Sequence, residues 1–143
     1  MEKIKSFTID HRTHKPGLYL SGAARGISTF DLRFKFPNKG EYLDIAAMHT
    51  IEHLFATVIR NSEVKDDVVY FGPMGCRTGF YLLMHDTDRE KALPLIIKAF
   101  EDCLLLTEIP GNKEEECGNY KEHDLQKAKE EIKKYLLILK EGR

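Results

Sequence analysis

Two histidines four residues apart, His49 and His53, with Glu52 between them, constrain this chain more than any other feature. Residues at i and i+4 lie on one helical face, so both imidazoles can reach one metal ion, and Glu52 projects close to the same place. The order is H-x-x-E-H, the reverse of the commoner zinc-protease H-E-x-x-H. The flanks predict a helix: Asp44 is placed to cap it, Ile45 to Met48 follow, and Leu54, Phe55, Val58 and Ile59 continue an apolar face as far as Asn61 and Ser62. The competing reading is a buried helix with two satisfied histidines. Against it, two imidazoles and a carboxylate beside so much apolar surface are costly to bury without a partner.

The 143 residues suffice for one domain with its own core, and residues 1–143 are read as a single domain. A net charge of −1 points neither to nucleic acid nor to an anionic membrane as a partner. No apolar run approaches a membrane span, and Met1 to Ser6 lack a signal-peptide apolar region, so the expected location is the cytoplasm. The three cysteines, Cys76, Cys103 and Cys117, are an odd number and argue against a disulfide framework. They are left for packing, metal binding or catalysis.

Residues 1–16 read as a solvated polar arm ending at Pro16-Gly17. Leu18 to Ile27 reads weakly as a strand, with Gly22 and Gly26 marking bends. From Ser28 to Phe36, Phe30, Leu32, Phe34 and Phe36 alternate with Thr29, Asp31, Arg33 and Lys35, which predicts a strand with one buried and one charged, solvated face. Strands are also expected at Asp67 to Phe71 and Thr78 to Met84, joined by a turn through Gly72 to Gly75. Cys76 follows that turn; taken alone, a free cysteine is more often a small core residue than a nucleophile. Asp88 is placed to cap a helix running to about Leu106, where Pro94 predicts a kink or a later start. Cys103 lies on its apolar face and reads as core. A polar loop follows from Ile109 to His123, and Asp124 caps a last helix through Leu139. Together these elements predict an α+β fold: an antiparallel sheet of about four strands packed against helices.

A cation held by His49, His53 and one thiolate would keep an open position, as catalytic sites do. Cys117, in its polar loop beside Gly118, is the favoured thiolate, although spacing alone does not separate it from Cys76.

Five blocks resemble the S-ribosylhomocysteine lyases, the LuxS family. They are Ser6 to His11, Phe30 to Phe34 with Pro37-Asn38-Lys39, His49 to Ala56 with Arg60-Asn61, Pro73 to Tyr81, and Glu116 to Tyr120 with His123 and Leu125. The resemblance spans nearly the whole chain in the family's order. It implies that His49, His53 and Cys117 are metal ligands, that Glu52 and Cys76 are the acid/base pair, and that Ser6, His11 and Arg33 line the substrate pocket. It also implies a homodimer with both sites at the subunit interface, and one divalent ion per subunit: iron(II) as the native ion, with zinc(II) or cobalt(II) able to substitute. The implied reaction cleaves S-ribosylhomocysteine to homocysteine and 4,5-dihydroxy-2,3-pentanedione, the precursor of a quorum-sensing signal. In one place the chain departs from the family. Where members usually carry Asp-Ile-Ser, this chain has Tyr70-Phe71-Gly72, which removes a pocket carboxylate expected at the ribose. Two other classes compete: an H-x-x-E-H metallopeptidase, and a non-catalytic metal- or metabolite-binding relative.

Overall fold

The computed structural model describes residues 1–142. Four strands, β1 (Gly17–Ala24), β2 (Ile27–Arg33), β3 (Val68–Pro73) and β4 (Gly79–His85), form one antiparallel sheet in the order β1-β2-β4-β3. Three helices, α1 (Ile45–Arg60), α2 (Arg89–Cys103) and α3 (Leu125–Lys140), complete the α+β fold. Each helix starts where a short acidic side chain can accept an orphan backbone N–H. Asp44 accepts from Ala47, Asp88 from Lys91 and Asp124 from Lys127. Helix α2 begins directly after Asp88 and runs through Pro94, so the later start does not occur.

The β1–β2 hairpin closes through Arg25 and Gly26, both at positive φ (56° and 76°), as a two-residue turn matched to strand twist requires. The register shifts between Leu20 and Gly22, one of the two bends expected from glycine. Strand β2 ends at Arg33, three residues earlier than its alternation predicts. The backbone N–H groups of Phe34 and Lys35 both turn to the Thr78 carbonyl, which ends the ladder, and Phe36 is 40% exposed rather than buried.

Alternation sends Leu18, Phe30, Leu32, Phe71, Phe80, Leu82 and Met84 to one face of the sheet. There they pack with Ile51, Leu54 and Phe55 of α1, Ile96 and Phe100 of α2, and Ile132 and Tyr135 of α3. Phe34 stacks on Tyr135 at 4.0 Å, and the Tyr135 hydroxyl donates to the Gly17 carbonyl at 2.9 Å, fastening α3 to the start of β1. Cys103 is fully buried here, as expected, and burial pushes its thiol up to about 12.

The opposite face corrects a second expectation. Asp31 and Arg33 point there, yet they are 0% and 1% exposed. Strand β2 is central in the sheet, and the N-terminal arm, itself still largely exposed, lies over this face. A 3-10 turn at Lys5–Thr8 lays Lys5 across Gly22, and His14 reaches Asp31 while its ring lies 4.3 Å from that of Tyr19.

Candidate metal centre

Helix α1 buries Ala47, Thr50, Ile51, Leu54 and Phe55 and turns His49, Glu52 and His53 toward its partly exposed side. The loop between α2 and α3 closes over them. A turn in which the Glu116 and Cys117 N–H groups both bond the Lys113 carbonyl presents the Cys117 thiol to the two histidines. Cys117 Sγ lies 3.4 Å from His49 Nε2 and 3.8 Å from His53 Nε2. A tetrahedral ion with ordinary metal–sulfur and metal–nitrogen bonds has an S···N edge of about 3.6 Å, so this donor set fits a divalent transition metal.

The same loop orients the rings. His49 Nδ1–H donates to the Glu122 carbonyl at 2.9 Å, and His53 Nδ1–H donates to the Pro110 carbonyl at 2.8 Å. A carbonyl only accepts, so each Nδ1 holds the ring proton and each Nε2 keeps its lone pair for the ion. Gly111, at φ +70°, lets the backbone pass closely over His53; a Cβ there would sit 3.3 Å from Nδ1.

Sequence reasoning missed one member of this cluster. His123 Nε2 also lies 3.8 Å from Cys117 Sγ, and the four donor atoms of His49, His53, Cys117 and His123 fall within 4.8 Å of one another. The His123 ring stacks on His49 at 3.9 Å. Burial, followed by the closeness of the His49 and His53 imidazoles, pushes His123 down to about 4, so it is neutral near pH 7. Helical spacing could not find it, because it stands in the loop one residue before the α3 cap. Glu52 lies on the same helix, and among the described residues its carboxylate has no hydrogen bond or ion pair.

The remaining expected site residues gather on the arm-covered face of the sheet. Arg33 is held at both ends of its guanidinium. Nε and one terminal nitrogen bond Asp31 at 3.1 and 2.6 Å, and the other donates to Thr78 Oγ1 at 2.8 Å. Thr78 Oγ1 lies 3.1 Å from Cys76 Sγ. Cys76 is exposed, which overturns the core reading that a lone cysteine invites. His11 bonds the Ile9 carbonyl through Nδ1 at 2.9 Å. Ser6 lines a cavity of about 330 Å³ with Tyr70, Tyr81, Thr29 and Leu83. Burial, and secondarily the charge of Asp31, raises the Tyr81 phenol. Tyr70 occupies the position where the family carboxylate is expected. Its hydroxyl lies over Gly72, where a Cβ would displace the tyrosine ring from this position. Within one chain, no hydrogen bond among the described residues joins this group to the metal donors.

A family model described as S-Ribosylhomocysteinase (LuxS) matches residues 4–141. An S-ribosylhomocysteine lyase of Borreliella burgdorferi (strain ZS7) is 48% identical over 146 residues, covering 97% of this chain and 93% of the relative. One from Desulfotalea psychrophila is 49% identical over 142 residues, covering 94% and 89%. One from Phocaeicola vulgatus is 45% identical over 143 residues, covering 95% and 89%.

Proposed function

The chain belongs to the S-ribosylhomocysteinase (LuxS) family, and we propose from that premise which of its groups perform the reaction. It is a carbon–sulfur lyase acting on S-ribosylhomocysteine. The observation that carries the site assignment is the convergence of Cys117 Sγ on His49 Nε2 and His53 Nε2 at 3.4 and 3.8 Å. These three residues would hold one divalent ion, iron(II) in the cell, with zinc(II) or cobalt(II) able to replace it. Bound there, the ion supplies Lewis-acid stabilisation of oxyanions that develop on the sugar.

The substrate's chemistry sets the other roles. Sulfur leaves from C5, but the carbonyl starts at C1. The carbonyl must move to C2 and then C3 before the C4 proton is acidic enough to be lost. Each move takes a proton from one carbon and returns one to its neighbour, which needs a group of intermediate basicity on each side of the sugar. Cys76 handles protons at C1 and C2. Glu52, with no partner among the described residues to hold its carboxylate, handles those at C2 to C4 and takes the C4 proton; the C5–S bond then breaks and homocysteine leaves. Ser6, His11 and Arg33 bind the substrate, Arg33 from within its contacts to Asp31 and Thr78.

We propose that the working unit is a homodimer with both sites at the interface. Support comes from the lack, among the described residues of one chain, of any hydrogen bond joining the metal donors to the Arg33–Thr78–Cys76 group, and from the exposed Ile4, Phe7 and Tyr70 on the arm and the outer strand. We propose a cytoplasmic location, as the sequence leads one to expect, and a signalling use of the pentanedione, as the family resemblance implies. No helix among the described residues is long and apolar enough to cross a membrane.

The test is release of free thiol from S-ribosylhomocysteine by iron(II)- or cobalt(II)-loaded protein. Wild type should turn over, whereas Cys76→Ala and Glu52→Gln should lose activity with metal still bound. Absence of wild-type turnover would reject the substrate and point to Tyr70 as the place where another ligand is selected. A peptidase reading is disfavoured by the third donor, a thiol where inverted-motif peptidases need a carboxylate.

A further inference from the structure

The four-donor cluster poses a question that proximity does not answer: whether His123 closes the metal's coordination or serves another purpose. The hydrogen bonds on the far side of each ring separate the three histidines. His49 and His53 face carbonyls through Nδ1, which leaves Nε2 unprotonated. His123 Nδ1 instead faces the Thr50 hydroxyl at 2.9 Å.

Thr50 is 0% exposed, so solvent does not serve its hydroxyl. Its oxygen also lies 2.9 Å from the Asp124 backbone nitrogen, which can only donate to it. The hydroxyl hydrogen therefore has one acceptor among the described residues, His123 Nδ1. If Nδ1 carried the proton instead, Thr50 would receive two donors and its own buried hydrogen would have no acceptor, an arrangement that buried polar groups avoid. With Nδ1 accepting, the proton of the neutral ring sits on Nε2, the nitrogen that faces Cys117 Sγ at 3.8 Å.

From this bookkeeping we infer that His123 is a hydrogen-bond donor to the Cys117 sulfur and not a fourth metal ligand. The inference rests on the reading of His49, His53 and Cys117 as the ligands. His123 is then a positioning residue. Its N–H fixes the direction of the sulfur lone pairs and draws charge from the thiolate. Because its own lone pair is committed to Thr50, it leaves the fourth coordination place to substrate oxygen. Thr50 governs this choice through a single hydroxyl, and the same hydroxyl caps the backbone at the start of α3. Groups of this kind around a metal typically alter affinity about 10- to 100-fold when removed.

The test uses the full chain loaded with cobalt(II). X-ray absorption counts the imidazoles, and the visible and near-ultraviolet spectrum reports the thiolate-to-cobalt charge-transfer band. Two imidazoles are expected in wild type and in His123→Ala. The charge-transfer band should move to lower energy in His123→Ala, because the sulfur loses an N–H donor, and metal affinity should fall about 10- to 100-fold. Thr50→Val should also move the band, and Thr50→Ser should leave it in place. Three imidazoles in wild type, falling to two in His123→Ala, would overturn the inference without relying on any variant to fold normally. An unmoved band in His123→Ala would overturn it as well. A wild-type spectrum with no thiolate band would reject the underlying ligand set, whereas a band abolished by Cys117→Ser would uphold that set and leave the imidazole count to decide on His123.

Discussion

Replacing Asp31 by Asn should destabilise the protein far more than an ordinary strand substitution. Asp31 is 0% exposed and accepts from Arg33 Nε at 3.1 Å, a terminal Arg33 nitrogen at 2.6 Å and His14 Nε2 at 3.0 Å. Arg33 is itself 1% exposed, and among the described residues its only other side-chain partner is the Thr78 hydroxyl. Asn keeps the shape but removes the charge and turns an amide NH₂ toward a guanidinium, leaving a buried cation uncompensated. Breaking such a pair costs about 3–5 kcal/mol. In a chain of this size that lowers Tm by on the order of 10 °C. The control is Asp31→Leu combined with Arg33→Met, which removes both charges and should cost much less than Asp31→Asn alone. Urea unfolding followed by circular dichroism gives both numbers. A cost under about 1 kcal/mol for Asp31→Asn, or a charge-free pair that costs as much as the single change, would refute the role given to this buried ion pair.

Three further outcomes follow from burial and geometry. Native metal-free protein should take up two alkyl groups from iodoacetamide by intact mass, at Cys76 and Cys117, metal-loaded protein one, and denatured protein three; a third group on the native chain would contradict the burial of Cys103. Burial holds the Cys103 thiol at about 12 against an ordinary value of 9.0, so the unfolded chain releases this proton first. Stability is then fully present below pH 9 and falls as pH rises toward 12, by up to about 4 kcal/mol, and Cys103→Ala should flatten that limb in pH-dependent urea unfolding while the raised Tyr135 phenol leaves a residual slope. If sites are shared between subunits, mixing inactive His49→Ala with inactive Cys76→Ala should restore roughly a quarter of wild-type activity, since an isologous mixed dimer contains one intact site; activity that stays at zero after subunit exchange would place each site within one chain.

Much of the fold can be read from residues whose physics is local. The caps Asp44, Asp88 and Asp124 each precede an apolar run of helical period, and each accepts the backbone N–H three residues on. Gly26 reads as a bend, whereas the full hairpin turn it makes with Arg25, both at positive φ, splits what reads as one strand from Leu18 to Ile27. What the alternation in β2 could not convey is how each face is covered. It separates Phe30 and Leu32 from Asp31 and Arg33 correctly, yet a period of two is silent on what lies above the polar face. The cover is the N-terminal arm, distant in sequence, whose polar composition conveys its own exposure but not what it lies over. The core reading that Cys76 invites when taken alone fails for a related reason. Its exposure depends on the β3–β4 turn standing clear of the core, which no property of an isolated cysteine reveals.

The metal site divides along the same line. His49 and His53 were legible because one helical turn brings them together, and any helix with that spacing would do so. The groups that decide what those histidines can do come from residues 110–123: the Pro110 and Glu122 carbonyls that set their tautomers, the Cys117 thiol, and His123. Two of these four are backbone atoms and carry no residue signature. Thr50 is the converse case. It lies inside the recognised motif, between His49 and Glu52, where a buried helical threonine reads as packing. Its hydroxyl reaches a residue 73 positions away and caps the helix that begins there. The motif thus specifies the two nitrogens, while the hydrogen bond between Thr50 and His123 determines whether a third nitrogen joins them. A search by spacing finds the first and is blind to the second, because tautomer follows from the partner a ring nitrogen meets in space.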